Sequence, residues 1–225
     1  MDDAILRLII LQEFNPTEMR ATTFIIVALL LSVVGKAQNS PEQKDLGPVI
    51  RIETGMYIPL KELKRNIDIS PTLSIVGGIP LNDKWRIDPN LTFFFPQSSS
   101  QISIVGQDSI VSGRLNSISG HWGASLNRVE KLGDRTFLEA RLGTGLSFIS
   151  TDTEKENVPE DSNDKLYGSE TIFLQAGFGI KVFAFRYSYI GLEVNYYFTP
   201  YNLFGDRFVG NVGNQAISVG LSYGL

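Results

Sequence analysis

From Ile50 onward the chain alternates apolar and polar residues with a period of two, the period of a strand whose two faces meet different surroundings. Eight such segments follow one another: residues 50–58, 73–81, 85–95, 118–126, 138–148, 172–182, 190–198 and 217–225. In the fifth the apolar parity is Leu138, Ala140, Leu142, Thr144, Leu146 and Phe148. In the sixth it is Ile172, Leu174, Ala176, Phe178, Ile180 and Val182. None of the eight apolar faces contains a charge, although charged residues make up 20% of the chain. The opposite parity carries Arg51, Glu53, Arg86, Asp88, His121, Glu139, Arg141, Lys181 and Glu193, among many Gly, Ser, Thr and Asn.

Alternation of this kind fits two architectures. A soluble sandwich or lipocalin-like barrel buries the apolar face, and a membrane barrel turns it towards lipid. Two features favour the membrane form. The polar parity is small in the later segments (Gly143, Gly145, Gly177, Gly179, Ser218, Gly220, Ser222 and Gly224), as a crowded lumen needs and a solvated face does not. Aromatic residues of the apolar parity collect near segment ends, Phe93, Phe95, Phe148, Tyr196 and Phe198 at one rim and Trp85 and Tyr223 at the other, like interfacial girdles. Connections also alternate, short around Asn82-Asp83-Lys84, at 131–134 and at 184–188, long at 61–68, 97–108, 151–168 and 200–213. The fold expected over residues 48–225 is therefore all-β, a transmembrane antiparallel up-and-down barrel of about eight strands, with both ends of the mature chain on the short-turn, periplasmic side. Pro89 cannot donate to a ladder and is expected near the rim or at a bulge.

The segment before the barrel reads as a targeting signal. Residues 22–34 are uncharged, but the apolar stretch 24–34 is far shorter than the ~20 residues a membrane-spanning helix needs. Met19-Arg20 precedes it, and Gly35-Lys36-Ala37 offers small residues ahead of a cut before Gln38. Residues 1–37 are thus expected to be an upstream extension plus signal peptide with Met19 as the start, and 38–47 a short periplasmic lead-in. Composition then removes several kinds of chemistry. There is no cysteine and one histidine, so disulfides, thiolate sites and multi-histidine metal centres are out. A net charge of −4 without a basic stripe gives no footing for nucleic acid.

Residues 55–78, GMYIPLKELKRNIDISPTLSIVGG, resemble the opening hairpin of small outer-membrane barrel proteins, the PorT-like group of Gram-negative bacteria. Gly177-Phe178-Gly179-Ile180-Lys181 and Val219-Gly220-Leu221-Ser222-Tyr223 add to the likeness. The resemblance implies an eight-stranded barrel of the OmpA/OmpX kind in the outer membrane. It also implies dealings with outer-membrane lipid and with the barrel-assembly machinery, which reads a terminal aromatic residue; this chain ends in Leu225, with Tyr223 the nearest aromatic. Some members of the group are linked to protein secretion, a role that attaches to no residue of this chain.

The inward charges, Arg51, Arg86, Arg141 and Lys181 against Glu53, Asp88, Glu139 and Glu193, are balanced, which predicts paired ions closing the lumen rather than a selective ring. Tyr57, Phe94 and Tyr197 share that parity nearer the long loops, where an uncharged vestibule is expected to take any small ligand. His121 with Ser117, Ser119 and Ser125 has the residue types of an acyl hydrolase or acyltransferase, but no G-x-S-x-G elbow accompanies it. The run Glu160-Asp161-Ser162-Asn163-Asp164 lacks the spacing of a calcium loop. No metal, cofactor or catalytic group is expected. The expected role is structural, or adhesive or accessory to an envelope protein complex through the loops. A narrow pore or lipid or small-ligand transporter is the alternative, and a lipid-modifying enzyme comes third.

Overall fold

A computed structural model describes residues 50–97, 101–105, 110–115, 118–153, 166–184, 188–203 and 208–224. The targeting segment and lead-in, Ser117, the run from Glu160 to Asp164, and Leu225 lie outside them. Among the described residues, eleven strands and one helical turn follow in order: β1 (Ile50–Leu60), α1 (Leu63–Asn66), β2 (Ser70–Gly77), β3 (Ile79–Pro80), β4 (Trp85–Phe94), β5 (Ile102–Val105), β6 (Ile110–Arg114), β7 (Ser119–Lys131), β8 (Thr136–Thr153), β9 (Leu166–Phe183), β10 (Tyr189–Phe198) and β11 (Gln215–Gly224).

Every pairing is antiparallel, and the last strand returns to the first. β1 pairs β11 from Arg51↔Gly224 to Leu60↔Gln215, which closes the barrel strands into a ring. The eight staves are β1, β2 with β3, β4, β7, β8, β9, β10 and β11. Three short turns join them at one end. The carboxamide oxygen of Asn82 fixes the first turn by accepting the backbone N–H groups of Lys84 and Trp85, both at 3.0 Å.

Pro89 sits neither at the rim nor at a bulge. The register between β4 and the stave β2–β3 is continuous, from Thr72↔Phe94 to Pro80↔Arg86. The Trp85 carbonyl accepts from Leu81 on that side, so the alternating pattern aims the Pro89 nitrogen at β2–β3 too. Pro89 has no N–H to offer, and the stave is interrupted opposite it, between β2 and β3.

The long-loop end holds more structure than its sequence suggests. β8 and β9 run 18 residues each, where about 9–11 cross a bilayer. Their excess carries the small β5–β6 hairpin, joined to β8 at Gly113↔Thr153 and Arg114↔Asp152. α1 is locked against the β10–β11 loop by Asn66, which donates to the Val212 carbonyl at 2.9 Å. It is locked also by Gly213, whose φ of +94° suits glycine and whose added Cβ would stand 2.1 Å from the Leu63 nitrogen.

Outward positions are apolar and open: Leu142 is 67% exposed, Leu221 58% and Phe178 57%. The inward charged residues of these strands, Glu139, Arg141 and Lys181, are buried. This inversion of the soluble pattern, on a closed sheet, is that of a barrel whose surroundings are lipid. Among the described residues no helix is long and apolar enough to cross a membrane; the strands do so.

Candidate functional site

The inward side chains fill the lumen in layers. Nearest the short turns, Phe137, Phe183 and Tyr189 meet with ring centroids 5.2 and 5.4 Å apart, beside buried Val76 and Val129. All five occupy the inward parity at strand ends, where the barrel would otherwise open to water.

The next layer holds the eight charges. Glu139 on β8 is its hub, facing Arg51, Arg86, Arg141 and Lys181 from four directions. Arg86 reaches it at 2.7 Å and Arg141 at 2.9 Å. Asp88 joins Arg51 and Arg86, each at 2.5 Å. Arg141 continues across the lumen to Glu53 at 3.2 Å and Glu193 at 3.3 Å. Glu53 is 12% exposed and the other seven are 4% or less. Arg51 with Asp88 and Glu139, Arg86 with Glu139, and Arg141 with Glu53 and Glu193 join strands that are not neighbours in the sheet, so these pairs brace the barrel across its lumen. Charges buried this way are costly to desolvate and are tolerated because each is paired with an opposite charge.

Neutral polar groups complete the layer. Asn127 accepts from Arg141 at 3.0 Å, Ser222 donates to Glu193 at 2.9 Å, and Gln175 donates to Asn195 at 2.9 Å. Gln175, Asn195 and Ser222 escape a reading based on charge alone. Their inward parity on β9, β10 and β11 is the signal that finds them.

Above the ions stands an aromatic layer. Tyr57 stacks on Phe94 (4.6 Å, 8°) and His121 on Tyr197 (4.9 Å, 17°), with Phe173 4.9 Å from His121. The vestibule expected around Tyr57, Phe94 and Tyr197 is not open. The loop end brings Leu63, Ile67, Ile102, Leu115, Tyr201, Phe208 and Val212 into one buried cluster with these rings and with Ile149 of β8. The reason is apolar burial: the loop segments carry enough hydrophobic side chains to pack down on the mouth. Between the ionic and aromatic layers lies a small polar cavity of about 20 Å³.

His121 is 1% exposed, and neither ring nitrogen has a hydrogen-bond partner among the described residues. Ser125 hydrogen-bonds to the Asp88 carbonyl at 3.5 Å, and Ser119 accepts the Ser150 N–H at 3.4 Å. The nucleophile–base–acid order of a hydrolase is therefore not assembled around His121 among the described residues. Among the described residues, no three His, Asp or Glu side chains gather where they could hold a metal ion.

A closed eight-stranded barrel, apolar outside and ionic within, defines a transmembrane barrel of the small outer-membrane type. No protein-family model matches the chain, and no curated protein does. Among solved structures it is similar to Ail, the attachment invasion locus protein of Yersinia pestis, at 9% identity over 78% of this chain and 94% of that one (TM-score 0.45). It is also similar to the N-terminal β-barrel domain of Pseudomonas aeruginosa OprF, at 12% identity over 79% and 98% (TM-score 0.39). The class rests on the barrel's own closure and on its two faces.

Proposed function

We propose that this chain is an outer-membrane barrel with a sealed lumen, whose work is done by its outer surface and loop end. It acts structurally, or as an adhesive or accessory component of an envelope complex. The observation that carries this reading is the filled interior: aromatic rings, then ions, then aromatic rings and a loop core, in sequence along the lumen. A solute path would have to cross all of them. In this reading the amino-terminal segment exports the chain, the barrel-assembly machinery inserts it, and both ends of the mature chain lie in the periplasm. The loops then face the outside, where an envelope partner would meet them.

Planar-bilayer recording tests the seal. The purified wild-type barrel should show no stable conductance. An Arg141→Ala variant, which leaves Glu53 and Glu193 without their shared cation, should show intermittent openings. Reproducible conductance by the wild type would overturn the sealed lumen in favour of a narrow pore.

A further inference from the structure

The lumen contains a place that protein atoms leave unfilled. The cavity between the layers is walled on one side by Glu53, Glu193 and Asn195 and on the other by Tyr57, His121 and Tyr197. It exists because the lateral walls are small: Thr72, Ser74, Thr92 and Ser218 stand where larger inward residues would close it. Ser74 and Thr92 are already bonded to each other at 2.8 Å.

His121 borders this cavity with a hydrogen-bonding capacity that the protein does not meet. A neutral imidazole offers one donor and one acceptor. Its ring is enclosed by Tyr197, Phe173 and Phe94, whose centroids lie 4.9, 4.9 and 5.2 Å away, and neither nitrogen finds a partner among the described residues. Buried polar groups in native proteins are seldom left so, because the lost hydration is not returned.

The size and charge of the cavity decide what can meet that need. A water molecule requires roughly 10–15 Å³ measured in this way, so about 20 Å³ admits one or two and excludes any organic ligand. A cation is disfavoured because both bordering carboxylates are engaged by Arg141. Water is left, able to accept from an imidazole N–H while donating to a carboxylate oxygen.

We propose that this cavity is an internal hydration site in which ordered water bridges His121 to the carboxylates of Glu53 and Glu193, joining the aromatic layer to the ionic one by hydrogen bonds. The sealed-lumen reading does not require it, since a dry plug would be equally non-conducting, and the two fail separately.

His121 is the sole histidine of the chain, so histidine-selective ¹⁵N labelling of the folded barrel in detergent micelles gives a single ring. Magnetisation transfer from water to that ring should reveal a long-lived water contact in the wild type. Ser218→Val, which fills the cavity from its wall and leaves every charge in place, should abolish the contact; Ser74→Val provides the same fill from β2. Glu193→Gln should shift the ring nitrogen resonances, because the far end of the bridge has changed. A folded wild-type barrel with no water contact at His121 would overturn the proposal, as would a contact that survives both filling variants. Ring resonances indifferent to Glu193→Gln would overturn the bridge.

Discussion

Leu142 and Gly143 are neighbours that meet opposite solvents. Leu142 projects outward at 67% exposure, while a Cβ on Gly143 would lie 3.0 Å from both Gln175 Oε1 and Ser125 Cβ inside the lumen. A Leu142→Arg change should therefore cost ~2–4 kcal/mol near the bilayer midplane, measured by urea unfolding in vesicles. Unchanged stability would contradict the lipid-facing assignment. Glu139 is the inward counterpart. With four cations turned towards it, Glu139→Gln leaves them short of one negative charge, and a loss of about 3–5 kcal/mol is expected in the same assay. Glu130, exposed and paired with Arg128 at 2.6 Å, is the control, since Glu130→Gln should leave the unfolding curve nearly unchanged.

At the scale of elements, one proline divides a strand. The stave made by β2 and β3 keeps a single register with β4, and the interruption faces the nitrogen of Pro89. Pro89→Val restores a donor opposite Gly77 without altering the outward apolar parity. It should fuse the two strands and stabilise the barrel by about 0.5–1.5 kcal/mol. Hydrogen exchange would show it as slower exchange at the backbone amides of residues 77–79, and unchanged rates would mean that something other than the missing donor keeps the strands apart. The outer rims show how elements end at an interface. Arg128 on the outward face of β7 stacks over the Trp85 ring at 5.9 Å, so a cation and an indole share the level where lipid gives way to water.

Across the whole molecule, short turns and long loops segregate to opposite ends, and the first and last strands close side by side at the turn end. If the loop end faces outward, an epitope inserted at the tip between β5 and β6 should be labelled by antibody on intact cells. An epitope appended after Leu225 should be labelled only once the outer membrane is broken. The reverse pattern would invert the proposed topology. The cross-lumen ion pairs bear on assembly as well. Arg51 and Glu53 belong to β1, and their partners Asp88, Glu139 and Arg141 come from β4 and β8, so the ionic layer is complete only when the barrel has closed.

The period-two alternation determined the strands, their lipid and lumen faces, and the order of short and long connections, because strand geometry ties side-chain direction directly to position in the chain. Inward placement of Arg51, Glu53, Arg86, Asp88, Glu139, Arg141, Lys181 and Glu193 follows from parity alone. Which cation meets which carboxylate does not, because the pairs span strands up to 88 positions apart in sequence, as Glu53 and Arg141 do. The closed mouth was equally beyond local reading. Leu63, Ile102 and Phe208 lie in segments without periodicity, and only the tertiary arrangement of three loops brings them onto Tyr57, Phe94 and Tyr197. Alternation records the two solvents a strand faces and carries no information about contacts across the lumen or above it. Those were decided by the curvature of the closed sheet, which brings distant strands within reach of one another, and by the apolar surface the loops gain by folding inward.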